Sequence, residues 1–520
     1  MGKNCDTNIK VYVTSYNEEV TGSNNTVRII WPDGRRCSFV IDCGLFQENE
    51  WNDYNNNLLP YDASGIDFAL ITHAHTDHVG RFPYLTKCGF TGDIYTTKET
   101  ATIIPMMLHE TLERMEEDFK RNILIWQKVK KERSKHCGKK DKHLMKKEEK
   151  KLSKEEKERK AKKCKKYSSK DINFDKPKML FGEEDIEQVL KQLCIMRNDE
   201  TFSPCEGVEI TFIPNAHLLG AVLIYCHVYD ESSEINFLVT GDLGMYNRVT
   251  KLSTEIPKEI SEKVNFILSE ATYGADTSPR DPVAEKAKHC EIINEFLQKK
   301  NGTIMYLSNS LERPQVIAQD LKELQQDDRV KETLSGVPIY LDTTFGSKCH
   351  RTYAKMIGTD YLPHGFRVIT KEERDSVKQS IGPKIIICTS PHFYQGSFLN
   401  YGKEAIENSN LALIFAAYAP DNVTSKMNLE RGTKMHFAGE DVVLRCKMDQ
   451  LKCYSAHVTK VQLEEFLSQF SHANVVLFNH GVNEAKKNYE THFKTDIRDT
   501  LALLYGKTVV ITKDGISKIY

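Results

Sequence analysis

The sequence predicts an α/β protein of more than one domain, containing at least one parallel sheet. Three observations predict it. The chain has 520 residues, more than a single compact core organises. Short apolar runs, GTIMYLS (302–308), PIYLD (338–342) and KIIICTS (384–390), alternate with stretches of helical spacing, the pattern of buried strands joined by crossover helices. IDFALIT (66–72) is an apolar run of strand length, the mark of a strand covered on both faces.

The other elements follow in order. Residues 8–42 read as strands, with VRIIW and CSFVID joined by Pro32-Asp33-Gly34, a hairpin turn signal. IDFALIT runs directly into HAHTDHVGR, and residues 98–133 then read as helix. EEDIEQVLKQLCIM (183–196) reads as one amphipathic helix opened by acids, which suit the positive end of the helix dipole. Strands are expected at 208–213, 221–229 and 235–240, and VVLFNHG (475–481) and TVVITKDGISKIY (508–520) close the chain. No internal repeat is present.

Net charge is −1, so total charge points to no partner, but its distribution does. Residues 121–170 hold 22 Lys/Arg against 7 Asp/Glu, a net of +15 that leaves the rest of the chain at −16. Such a segment suits a polyanion. His136-Cys137-Gly138 within it reads either as the turn of a helical hairpin or as part of a solvated loop. The 14 cysteines are scattered with no CxxC pair, and several lie in apolar runs, which suits reduced, buried thiols. The first residues, MGKNCDTNIK, carry no apolar signal region, and Asp6 breaks the myristoylation pattern. No uninterrupted apolar stretch reaches the ~18 residues of a membrane span. The expectation is a cytoplasmic protein without a membrane partner.

His73-Ala74-His75-Thr76-Asp77-His78 is the most informative hexapeptide. Neutral imidazoles and carboxylates are good zinc ligands, and three histidines with one aspartate in six residues are hard to explain by packing. Placed just past a buried strand, they can converge on metal without interrupting the sheet.

HxHxDH after an apolar strand resembles the signature of the metallo-β-lactamase superfamily, and further segments in order resemble the rest of its pattern. Asp42 in FVIDCG matches the structural acid, His217 in NAHLLGA a zinc-binding histidine, and Asp242 in VTGDLG the carboxylate that bridges two metals. SEATYG (269–274) with Glu270, CYSAHV (453–458) with His457 and FNHGVNEAKK (478–487) with His480 resemble motifs A, B and C of the β-CASP nucleases. VPIYLDTTFGSK (337–348), and Ser308-Asn309-Ser310 with Arg313 and Gln315, resemble parts of their inserted domain.

The resemblance implies an αββα metallo-β-lactamase sandwich with an inserted α/β β-CASP domain. The expected division is 1–282 and 441–520 for the sandwich, with the Lys-rich insertion at about 121–175, and 283–440 for the β-CASP domain. It implies two zinc ions per chain, one on His73, His75, His217 and Asp242, the other on Asp77, His78, Asp242 and His480. Two such metals about 3.5–4 Å apart suit an in-line attack on phosphorus. Asp77, Glu270 and His457 are the implied catalytic groups, and Arg313 and Lys348 the candidate phosphate contacts.

The implied activity is hydrolysis of RNA phosphodiester bonds, with endonucleolytic cleavage the expected mode in RNA processing or decay. Single-stranded RNA is the expected partner, and a homodimer is left open. A histidine at motif C is typical of RNA-acting members, whereas DNA-acting members usually carry Val there. Three alternatives stay open: a DNA nuclease of the same clan, a lactam or thioester hydrolase, and an inactive scaffold subunit. The chain departs from the family at Val458-Thr459, where motif B usually continues Thr-Asp or Ala-Asp, and at Pro391-His392-Phe393-Tyr394-Gln395-Gly396, which replaces a glycine-rich turn.

The basic segment generates a first prediction. If it grips RNA, replacing residues 134–170 with a short Gly/Ser bridge weakens RNA binding and flattens its salt dependence. Binding of single-stranded RNA loses affinity with a log–log slope of about −0.7 per phosphate neutralised. Turnover of a very short substrate should persist. An unchanged slope in the deletion would leave the segment as a solvated spacer or a protein-docking hairpin.

Overall fold

A computed structural model describes residues 8–17, 20–47, 56–136, 178–276, 281–389, 396–416, 428–496 and 498–520. Most of the Lys-rich segment (137–177) and of the 391–396 loop lies outside the described residues.

Three large sheets organise the chain. The first has eight strands in the order Gly515–Ile519, Thr508–Thr512, Lys10–Ser15, Asn24–Ile30, Arg36–Cys43, Phe68–Leu70, Asp93–Thr97, Leu193–Met196. Its first half is antiparallel, built from hairpins such as Asn24–Ile30 with Arg36–Cys43, where Gly34 takes φ +90° and donates to the Trp31 carbonyl at 3.0 Å. From Arg36–Cys43 onward the pairs are parallel. Parallel neighbours need crossover connections, and helices Lys98–His136 and Glu183–Gln192 lie between Asp93–Thr97 and the last strand.

The second sheet has seven strands: Asp499–Ala502, Val475–Phe478, Phe266–Ser269, Glu234–Val239, Val222–Tyr229, Val208–Pro214, Thr201–Cys205. The two sheets share one buried cluster, which takes Phe39, Phe68 and Leu70 from the first and Phe212, Phe237 and Phe266 from the second. Strand alternation accounts for the continuous apolar run at 66–72. Phe68 and Leu70 face the cluster between the sheets, while Ala69 and Ile71 join the outer cluster with Ile103, Leu108, Ile186 and Val189 of the covering helices. On the far side, Leu463 and Phe466 of helix Lys460–Ser468 and Tyr489 of helix Asn483–His492 cover Leu238, Ile267 and Val476. The layers are helix, sheet, sheet, helix, an αββα sandwich.

The third sheet is parallel throughout: Phe366–Val368, Ile339–Asp342, Lys384–Thr389, Thr303–Ser308, Leu411–Phe415, Lys447–Gln450. Separate apolar clusters cover its two faces. This is the inserted α/β unit, and its last strand runs to Gln450, so the expected division at residue 440 falls inside the span of one sheet. The unit is seated on the sandwich. Leu311, Phe345, Cys349 and Tyr353 join the same buried cluster as Leu108, Leu218 and Leu219.

One expected element is corrected. The helix expected over 183–196 ends at Gln192, and Leu193–Met196 is an edge strand parallel to Asp93–Thr97. The amphipathic spacing of the helix continues into LCIM, but the vacant edge beside Asp93–Thr97 offers those four residues backbone partners. Among the described residues no helix is long and apolar enough to cross a membrane.

Phe39 and Phe68 stack at 4.6 Å between the sheets, and both are buried. Phe39→Ala should therefore destabilise the sandwich by about 3–5 kcal/mol, the usual cost of deleting a buried aromatic ring. Denaturant unfolding measures this, and a loss below ~1 kcal/mol would mean the core closes over the cavity.

Candidate metal centre

The site-bearing residues follow strands at the carboxyl edge of the sandwich. His73 and His75 lie just past Phe68–Leu70, and Asp77 and His78 sit in the single-turn helix Thr76–Val79. His217 follows Val208–Pro214, Asp242 follows Glu234–Val239, Glu270 follows Phe266–Ser269 and His480 follows Val475–Phe478. The last three strands are parallel neighbours, so their carboxyl ends open on one edge. Two glycines permit the loops to close on each other. A Cβ on Gly44 would fall 1.5 Å from the Asp77 carbonyl oxygen, and one on Gly244 2.6 Å from the His217 amide nitrogen.

Asp242, 2% exposed, stands between two sets of ligand atoms. Its Oδ2 lies 3.6 Å from His73 Nε2 and 3.5 Å from His217 Nε2, and His75 Nδ1 lies 3.0 and 3.4 Å from those two nitrogens. Its Oδ1 lies 3.2 Å from both His78 Nε2 and His480 Nε2, while Asp77 Oδ2 is 4.0 Å from His78 Nε2. Bonds of ~2.0–2.1 Å in a tetrahedron put ligand atoms ~3.3–3.4 Å apart, so these spacings suit a small divalent cation in each set.

Hydrogen bonding provides an independent check of fit. His78 Nε2, His480 Nε2 and Asp242 Oδ1 are buried and lack hydrogen-bond partners. Buried polar atoms left unpaired are costly, and three that converge on one point suit a cation.

Neighbouring side chains set the imidazole tautomers. Asp42 is buried with φ +60°; it accepts from the Thr72 amide at 2.9 Å and hydroxyl at 2.8 Å, and lies 2.7 Å from His78 Nδ1. With Nδ1 paired to Asp42, Nε2 is the atom that His78 turns to the site. His73 Nδ1, 3.0 Å from Thr72 Oγ1, is fixed in the same sense. Such outer partners orient metal-binding histidines and raise their basicity. His480 Nδ1 lies 3.1 Å from Thr272 Oγ1.

Burial lowers His73 and His217 well below their ordinary values, His75 to about 3 and His480 to about 4, and so keeps the rings in the neutral form that ligates. Arg313 pushes His75 and His217 the same way. Burial opposes charge on His78 too, but Asp242 and Asp42 outweigh it and hold that ring above its ordinary value. Their pull on a positive charge at His78 is what a bound cation would take over.

His457 Nδ1 lies 2.9 Å from Glu270 Oε2, and its Nε2 faces Asp242 Oδ2 at 3.7 Å. Glu270 is 1% exposed and is held by the Leu243 amide, which donates to its other oxygen. The altered motif B flank has structural work. Val458 packs in the apolar cluster with Leu463, and Thr459 caps helix Lys460–Ser468, accepting from the Gln462 amide at 3.3 Å.

Of the two candidate phosphate contacts, half-buried Arg313 follows Glu312, whose carboxylate accepts from the Leu219 amide of the His217 loop, whereas Lys348 is directed to the long helix, 4.0 Å from Glu113. Lys348 is therefore not brought to the centre. Sequence reasoning missed Thr72, Thr272 and Asn215. Asn215 Oδ1 accepts from the His217 amide at 3.0 Å, and its Nδ2 donates to the Asp242 carbonyl at 2.7 Å, tying two ligand loops together. Its place two residues before His217, in the NAH motif, was the available signal.

No family model matches the chain. Among curated proteins it is 23% identical over 464 residues to ribonuclease TTHA0252 of Thermus thermophilus, an alignment covering 86% of this chain and 88% of that protein. It is 21% identical over 458 residues to transcription termination factor FttA of Methanosarcina mazei, covering 83% of this chain and 61% of that one. It is 23% identical over 467 residues to cleavage and polyadenylation specificity factor subunit 3-II of Arabidopsis thaliana, covering 86% and 64%. The chain is a homologue of the β-CASP metallo-β-lactamase nucleases. It spans less than two thirds of the length of the last two relatives.

In this β-CASP homologue, Asp242→Ala should lower metal content at both ligand sets, because each faces one of its oxygens. Asp42→Asn should weaken metal binding by about 10–100-fold through the orientation of His78. Elemental analysis and competition with a chelator measure both, and unchanged metal content in Asp242→Ala would remove that residue from the site.

Proposed function

We propose that the chain is a zinc-dependent ribonuclease, with two ions per chain, that hydrolyses phosphodiester bonds in single-stranded RNA endonucleolytically. The observation that carries this reading is one carboxylate, Asp242, facing two separate ligand sets with the His457–Glu270 pair beside it. The names of the relatives supply the substrate class: a ribonuclease in Thermus thermophilus and endoribonuclease ysh1 in Schizosaccharomyces pombe.

His73, His75, His217 and Asp242 would hold one ion, and Asp77, His78, His480 and Asp242 the other. Bound there, the pair would lower the pKa of a water and neutralise charge developing on the phosphate oxygens. Asp77 keeps 19% of its side chain toward solvent, which suits a base that orients the attacking water and takes its proton on a carboxylate oxygen. Glu270 pairs with Nδ1 of His457 and orients the ring, so that Nε2 delivers a proton to the leaving 3′ oxygen. The products are a 5′-phosphate and a 3′-hydroxyl. Arg313 meets the phosphate from the side of the inserted unit.

The test is cleavage of a labelled single-stranded RNA beside the same sequence as DNA, with chelation and zinc restoration. His457→Ala should slow RNA cleavage by roughly 10²–10⁴-fold, the worth of a general acid, with metal content kept, and Glu270→Gln should slow it as well. Cutting of DNA alone would make the chain a DNA nuclease, and cutting of neither would leave a scaffold or another hydrolase. Full activity of His457→Ala across the pH range would end the general-acid role.

A further inference from the structure

Glu312 belongs to the inserted α/β unit, yet its carboxylate is buried in the sandwich. It is 1% exposed, and its Oε1 accepts from the Leu219 amide at 3.2 Å and from Asn247 Nδ2 at 2.8 Å. Leu219 lies two residues past His217, in the loop that carries this histidine. Asn247 belongs to a second sandwich loop, where its Oδ1 accepts from the Val249 and Thr250 amides at 2.9 Å. The same loop grips the inserted unit again through Arg248, 2.7 Å from Asp320, and braces the His217 loop through Thr254, whose hydroxyl accepts from the Ala216 amide at 2.8 Å. One carboxylate thus ties the His217 loop, the 245–254 loop and the start of helix Arg313–Leu324 together.

Glu312 holds this position at a cost. Its φ is +59°, the left-handed region that a non-glycine residue occupies only when its surroundings hold it there. Its Oε2 is buried with no hydrogen-bond partner. A residue that only filled space would not need a carboxylate here, and a turn alone would be better served by glycine. The next residue, half-buried Arg313, opens helix Arg313–Leu324 directly beside the clamp on the His217 loop, its amide donating to the Leu311 carbonyl at 2.7 Å. The backbone turn at Glu312 decides where that side chain starts.

We propose that Glu312 is a positioning residue: by clamping the Leu219 amide and Asn247, it fixes Arg313 of the inserted unit against the metal-binding loop, where the guanidinium takes a phosphate of the bound strand. This rests on the ribonuclease reading for the identity of the strand. The clamp itself is read without it.

Glu312→Gly is the informative variant, because glycine accepts the left-handed turn while the side chain that carries the carboxylate is removed. It should fold, with a melting temperature near that of wild type, and keep its zinc. Hydrogen exchange at the Leu219 amide should speed up. The KM for RNA should rise about 10–100-fold, the worth of a charge-assisted hydrogen bond to phosphate, with kcat changed much less. Glu312→Gln, which keeps an acceptor for both donors, should give a KM between wild type and Glu312→Gly. If Glu312 acts through Arg313, then Glu312→Gly combined with Arg313→Ala is no worse than Arg313→Ala alone. Additive penalties, an unchanged KM in Glu312→Gly, or unchanged Leu219 exchange would each overturn the proposal. If wild-type protein cleaves no RNA, the ribonuclease reading fails by itself; Leu219 exchange then decides the clamp alone, upheld if faster in Glu312→Gly and overturned if unchanged.

Discussion

The structure depends on one buried carboxylate. Asp242 lies among imidazole nitrogens at 3.2–3.7 Å with almost no solvent. Taking such groups from water is costly unless each finds a partner. Protein hydrogen bonds satisfy the outer nitrogens of His78 and His480 but not the Nε2 atoms that these two rings turn toward Asp242. The centre therefore suits a cation. The glycine contacts, the Asp42 turn and the loops after each strand are the means by which the fold brings those atoms together.

The sandwich explains why the groups can come from such distant points in the chain. Asp42, His73, His217, Asp242, Glu270 and His480 each follow a strand or end one, and the central strands are rigid because they are covered on both faces. Rigid strand ends hold loop residues in place better than loops hold each other. The long segments between them cross outside the sheets, which leaves room for the inserted unit between Glu270 and His480.

The inserted unit is held to the sandwich by apolar and polar contacts. It shares a buried apolar cluster with the sandwich through Phe345, Cys349 and Tyr353, and it sends the Glu312 carboxylate to the His217 loop. The apolar contacts supply most of the cohesion, since they are non-directional and proportional to buried area. The polar ones select a single seating. Ion pairs further out on the seam, such as Lys251–Glu323 with both side chains about half exposed, add little because water screens them.

By itself the sequence determined the chemistry and the larger elements. Metal ligation needs particular side chains at short spacing after a strand, so HAHTDH was legible as a ligand cluster, and the apolar runs at 302–308, 338–342 and 384–390 were legible as parallel strands because both faces had to be apolar. Tertiary structure alone decided the long-range pairings. Helical spacing in LCIM was overruled by an open sheet edge, Lys348 was turned toward Glu113, and Thr72 and Glu312 acquired roles that no local pattern announces. The physical reason is range. Periodicity and ligand spacing act within a few residues, where sequence records them. The partner of a buried polar group is chosen by whichever donor or acceptor the packed sheets carry to it, here 93 residues away for Glu312 and Leu219 and 208 for Thr272 and His480.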